Sequence, residues 1–398
     1  MFYDFFIKYV AAILGRGLKR KLAILLTVFF APLASASSSE RLLCKYLATE
    51  NWAELEKLSL ENVDANYRCG RSQKNTAFDI AVIMGHEETV RRLLKKNPLA
   101  KMTGNINALD VAVITDHEGL VRLLLDEGAD PLEKKEGGWT LLHLAARKGN
   151  EEIVRLLLGD GFVFGREGAD PLAKTDDGFT VLHTAAGSGH EDIFRLLLDE
   201  DADPLAKTDD GFTVLHSAAR GGNEEIFRFL LDEGADPLAK KDDGLTVLHT
   251  AAGCGHEEIF RLLLDKGADP LAKTDDGFTV LHSAAGGGHE EIFRFLLDEG
   301  ADPLAKTDDD LTVLHRAARG GNEEIFRFLL DEGVDPLAKN NDDTTILHSA
   351  VAGDNAEIVR ILLEKGANPL AMNRFRKMPI QSTNNKEIRD MLYKVAGQ

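Results

Sequence analysis

Cysteine is scarce. Cys44, Cys69 and Cys254 are the three in 398 residues, too few for a disulfide framework. Packing has to hold the chain, and 44% hydrophobic with 28% charged residues is ordinary for a folded protein. Positive charge is also short: 47 Lys and Arg stand against 66 Asp and Glu, a formal net charge of −19. The first 36 residues carry +4, leaving −23 on the remainder. That disfavours a nucleic-acid backbone as partner, because phosphate binding needs a basic surface. It suits a soluble, weakly self-associating chain, or one that meets basic surfaces. Long apolar runs are missing as well. The run Leu22–Phe30 is well short of the ~20 residues of a membrane-spanning helix.

That short run has its own meaning. Lys19, Arg20 and Lys21 precede it, Pro32 closes it, and Ala34-Ser35-Ala36 follows. A basic region, a short apolar core and an A-x-A site predict a signal peptide over 1–36, cleaved before Ser37. The chain is then exported, periplasmic or secreted. The apolar piece Phe5 to Leu14, interrupted by Lys8, leaves an alternative in which the segment stays as a membrane anchor.

The remainder is a repeat. His183, His216, His249, His282, His315 and His348 fall every 33 residues, and Asp275–Lys306 is nearly copied at Asp209–Lys240. Self-similarity at this period signals stacked units that bury their apolar faces against one another. Within one unit, Asp275-Asp276-Gly277 is a turn signal. Thr279 suits an N-cap for a short helix through Leu281, Ala284 and Ala285. Gly286, Gly287 and Gly288 end that helix. Glu290 and Glu291 suit the first turn of a second, whose stripe is Ile292, Phe293, Leu296 and Leu297. Gly300 is expected at its C-terminal cap.

The period, the T-V-L-H run, the following Ala-Ala, the Gly-His or Gly-Asn turn and the closing G-A-D resemble the ankyrin repeat, from about residue 40 to the end. The resemblance implies an all-α fold, an ankyrin-repeat α-solenoid of helix-turn-helix units with β-hairpin-like loops, about ten repeats including atypical ends, counted as one domain. An N-terminal capping repeat is expected over 37–66 and two degenerate repeats over 67–132. There Asp79 and Asp110 replace the family histidine, which weakens the pattern. Regular repeats are expected over 133–372 and a C-terminal capping repeat over 373–398, with Met378-Pro379-Ile380-Gln381 in the T-V-L-H slot. Between His143 and His183 the spacing is 40, and the excess of seven lies in 159–167. Phe162 and Phe164 there could form a contact ridge, but a slippage scar in a tolerant loop is favoured.

Chemistry is hard to find. Neighbouring histidines one repeat apart stand about 9–10 Å from each other, whereas zinc holds ligands at about 2.0–2.1 Å. The resemblance implies a structural role for each, bonding around the turn before the first helix. His289-Glu290-Glu291 starts like a zinc-protease motif but meets Phe293 where a second histidine is needed. Gly253-Cys254-Gly255 lacks the third glycine of a dinucleotide loop, and the Asp-Asp-Gly turns lack the alternating acids of a calcium loop. No nucleophile, base and orienter come together. No cofactor, metal or small-molecule substrate is expected, and the chain is not expected to be an enzyme.

The resemblance then points to a binding surface on the concave side, made of hairpin tips and first-helix ends. The tips hold Asp176, Asp177, Asp209, Asp210, Asp242, Asp243, Asp275, Asp276, Asp308 and Asp309. Beside them run Trp139, Phe179, Phe212, Leu245, Phe278 and Leu311, with Arg220 at a helix end. Acidic fingers and an apolar row could grip a basic, partly apolar protein. Turn chemistry with aromatics packed on neighbouring hairpins explains the same residues equally well. The expected function is non-catalytic protein binding; the alternatives are a periplasmic accessory or protective factor for a particular enzyme, and an enzyme. Cys254 is expected as an accessible thiol on the concave side. Cys44 and Cys69, both in the N-terminal units, are the expected couple.

Overall fold

A computed structural model describes residues 38–58, 63–64, 67–69, 75–96, 107–159 and 168–397. The expected signal peptide, and the insertion beyond Gly159, lie outside them. Among the described residues twenty-one α-helices follow one another as ten successive pairs and a closing helix. The contacts divide the chain into two compact units, one ending at Asp176 and one from Asp177 to Gln398, where the repeat pattern had been counted as one domain. The break falls just after the seven-residue excess, where the 33-residue register is interrupted.

Each regular pair forms for local reasons. In Val280–Gly287, Thr279 is the N-cap: its hydroxyl accepts from the His282 N–H while its own N–H donates to the imidazole. This is a capping box with histidine in the usual Glu or Gln place. Gly288, at φ +77°, ends the helix, a left-handed turn that glycine adopts without strain. The second helix, Glu290–Asp298, opens on two glutamates. It buries Ile292, Phe293 and Leu296, whereas Leu297 is only half-buried. Each fully buried side chain of this size contributes about 1.5–3 kcal/mol. Phe293 meets Phe328 of the next repeat edge to face, ring centres 5.9 Å apart.

The first unit reaches the same shape with other residues. Asp79 and Asp110 complete capping boxes with Thr76 and Asn107, so aspartate fills the place that histidine holds elsewhere. A two-residue strand pair joins Arg68–Cys69 to Asn75–Thr76, and Cys44 is bonded to Cys69 across 25 residues. In the second unit single bridges such as Lys240↔Thr246 and Lys273↔Thr279 close the hairpin stems. At the end, Pro379–Gln381 is a 3-10 turn and Lys386–Ala396 the closing helix, with Ile388 and Leu392 buried.

Candidate protein-binding face

The buried histidines set the hairpins in place. His282 Nδ1 lies 2.8 Å from the Thr279 hydroxyl and accepts from the Thr279 N–H at 3.2 Å. Nε2 is therefore the protonated nitrogen, and it donates to the Leu311 carbonyl of the next hairpin at 3.2 Å. The same link joins His216 to Leu245, His249 to Phe278, His315 to Thr344 and His348 to Lys377. Burial pushes His216, His249, His282 and His315 down to about 4. The family resemblance implied the bond at the turn; the bond to the following repeat has no signal in any single repeat. Among the described residues no group of three or more His, Cys, Asp or Glu is placed to hold a metal.

Backbone bonds chain the tips together. The N–H groups of Asp209, Asp242, Asp275 and Asp308 donate to the carbonyls of Asp177, Asp210, Asp243 and Asp276, at 2.8–3.0 Å. The two aspartates of a tip then divide their work. The second serves the turn. Asp210 accepts from the Thr208 hydroxyl at 2.5 Å and pairs with Lys241 at 2.9 Å, and these two hold its carboxyl below the usual range. Asp243 accepts from the Leu245 N–H, and Asp276 from the Thr274 hydroxyl. The first is different. Asp209, Asp242, Asp275 and Asp308 are exposed, and no hydrogen bond or ion pair engages their carboxylates among the described residues. Asp309 is exposed too, and its carbonyl accepts from the Asn341 N–H.

The apolar row is half-buried at Phe179, Phe212, Leu245, Phe278 and Leu311. Phe179 and Phe212 stack at 6.3 Å, and Phe212 and Phe278 lean on His216 and His282 at 5.0 and 5.1 Å. Phe278 also stacks on His249 at 6.4 Å, so the rings serve the hairpin stack while staying partly accessible. Arg220 is exposed, and its guanidinium lies 5.8 Å from the Phe212 ring centre. Trp139, half-buried against His143, and Asp176, exposed, belong to the first unit. The structure thus places the second-unit residues in one register; those of the first unit stand by themselves.

Cys254 is a free thiol, as expected; it is half-buried, and burial pushes its thiol up. The chain also holds a row that sequence reasoning passed over. Leu205, Leu238, Leu271, Leu304 and Leu337 recur every 33 residues and are 41–50% exposed. Each leucine N–H is held by an aspartate two residues earlier, Asp236 for Leu238 and Asp269 for Leu271, both at 2.9 Å. The D-P-L triplet was the available signal, since aspartate favours such a turn. A shallow depression of about 320 Å³ lies between Leu238 and Leu271.

A family model described as ankyrin repeats in three copies matches residues 33–135, 103–166, 162–241, 237–307 and 304–373. The chain belongs to the ankyrin-repeat family. The ankyrin repeats span both units, and repeats of this family generally serve as scaffolds for protein partners, without catalysis. No curated protein matches the chain. Among solved structures it is similar to the human ASB11 ankyrin repeat domain, at 24% identity and TM-score 0.40, over 54% of this chain and 96% of that one. The family assignment rests on the repeat match alone.

Proposed function

We propose that this chain is an exported ankyrin scaffold that holds a basic, partly apolar protein on its hairpin face. One observation carries the reading: Asp209, Asp242, Asp275 and Asp308 repeat as exposed carboxylates without partners among the described residues, while Asp210, Asp243 and Asp276 do the turn chemistry. Turn formation therefore does not account for the first aspartates. Their fields add along the array and speed the encounter with a cationic surface. The half-buried rings of Phe212 and Phe278 then supply the apolar anchor through their accessible parts. The same charge argues against a nucleic-acid partner. Export is supported by the A-x-A segment and by the Cys44–Cys69 bond, since disulfides persist in oxidising compartments.

Two measurements test this. Asp209→Asn, Asp242→Asn and Asp275→Asn together keep turn-competent side chains and remove only charge. Association with the isolated partner should slow and its salt dependence weaken, with folding unchanged. Phe212→Ala with Phe278→Ala should instead speed dissociation. Wild-type binding by both variants would move the site elsewhere. For export, intact mass of the purified protein should show a chain starting at Ser37; retention of 1–36 would favour the anchored alternative.

A further inference from the structure

Arg316 breaks the repeat. In the second unit the position after each of the other buried histidines holds Thr184, Ser217, Thr250, Ser283 or Ser349, all small hydroxyl residues. In an array of near copies, such a single departure stands out. The guanidinium lies back across Gly286 of the preceding repeat: a Cβ there would fall 2.7 Å from Nη2 and 2.8 Å from Nε. Its carbon sits 5.3 Å from the centre of the Phe278 ring. Nε is buried with no hydrogen-bond partner, and no ion pair engages the side chain among the described residues. Arg319, exposed on the same helix, adds a second positive charge. Burial first, and Arg319 second, push the Arg316 pKa down. A half-buried cation therefore stands uncompensated in a chain of net charge −19.

We propose that Arg316 is an oxyanion-binding position beside the hairpin row, and that it receives a carboxylate side chain of the protein partner. Lying over Phe278, the guanidinium meets no hydrogen-bond acceptor among the described residues. With Nε sealed, the outward bonds come from the two Nη groups. Their planar fork matches the two oxygens of a carboxylate, and such a charge offsets the desolvation of the arginine. Gly286 is part of the device, because any side chain there would displace the guanidinium. The carrier of the carboxylate rests on the docking reading above; the site itself does not.

The test starts without a partner. In the ¹⁵N-labelled full chain the Arg316 Nε–H resonance, assigned by its loss in Arg316→Lys, is followed against sodium acetate and, separately, sodium phosphate, with ionic strength held constant by chloride. A saturable shift with acetate is expected. No saturable shift, or saturation with phosphate alone, overturns the assignment. Arg316→Ser restores the residue type of the other second-unit repeats and should melt at or above the wild-type temperature. A lower melting temperature would make the arginine a structural brace and overturn the proposal. With the isolated partner, Arg316→Ser should weaken binding about tenfold or more, the loss of a charge-assisted hydrogen bond. If acetate saturates but neither this variant nor the tip variants affect the partner, the carboxylate carrier and the docking reading fall together. If the tip variants act and acetate does not saturate, only the Arg316 site falls.

Discussion

At the scale of single residues the buried histidines are the informative groups. Each is held neutral by its surroundings: Nδ1 faces two donors from the capping threonine, so a proton there would meet N–H and O–H groups instead of an acceptor. Folded pKa values of about 4 at His216, His249, His282 and His315 lie below the ordinary ~6.5. Between those values the unfolded chain binds more protons, so stability rises with pH. It is fully present above about pH 6.5 and is lost as pH falls toward 4, on the order of 1–3 kcal/mol per histidine. A thermal melt series across that window should show the fall, and His282→Gln should reduce its steepness. A melting temperature flat from pH 7 to 4 would contradict the neutral assignment. His282→Ala should raise hydrogen exchange at Leu311 and its hairpin, since the bond to that carbonyl is lost, and leave metal content unchanged.

The elements show two solutions to the same junction. Where the second helix starts with asparagine, the side chain caps it and also crosses to the previous repeat: Asn322 accepts from Ile325 N–H at 2.9 Å and donates to the Gly288 carbonyl at 3.0 Å. Where it starts with His256, no side-chain cap forms, and Nε2 reaches the Arg220 carbonyl at 3.1 Å. Both residues therefore bridge repeats, and only asparagine also serves its own helix. Asn322→Ala should cost about 1–2 kcal/mol, read as a lower melting temperature. Hairpin turns give a prediction of opposite sign. Gly211, Gly244 and Gly277 occupy positive φ at the tips, and Asp310 takes the same place at φ +57°. Asp310→Gly should raise stability by about 1 kcal/mol, the left-handed penalty of a side chain. A loss of stability would mean that Asp310 earns its place through its ion pair with Lys306 at 3.8 Å.

At the scale of the molecule the two units differ in what holds their ends. The second closes on the helix Lys386–Ala396. The first carries the Cys44–Cys69 bond, tying the opening helix Ser38–Ala48 to the strand Arg68–Cys69. For a loop of that length, cross-linking contributes on the order of 3–4 kcal/mol. Repeat arrays unfold from their weakest interfaces, so reductant should raise hydrogen exchange around residues 38–58 and leave 177–397 unchanged. Equal protection with and without reductant would show that the bond adds nothing to the first unit.

Much of this was readable in the 33-residue beat. The threonine cap, the Ala-Ala pair, the glycine stop and the apolar stripe of Glu290–Asp298 are set by neighbours three or four positions apart, and such local spacing is visible in a linear text. The aspartates at 79 and 110 were legible only in part, because their capping role is shared with histidine through geometry rather than identity. What the tertiary structure alone decided lies between repeats. The bond from His282 to Leu311 spans 29 residues, that from Asn322 to Gly288 spans 34, and Arg316 lies over Gly286 only once two helices are stacked. The same holds for the tip aspartates, alike in sequence yet split into a turn residue and an open charge. It holds for the D-P-L leucines, which look like core residues in the text and stand outside it. Local propensity writes the elements; which side chain is covered, and which donor finds an acceptor, depends on the next copy being in place.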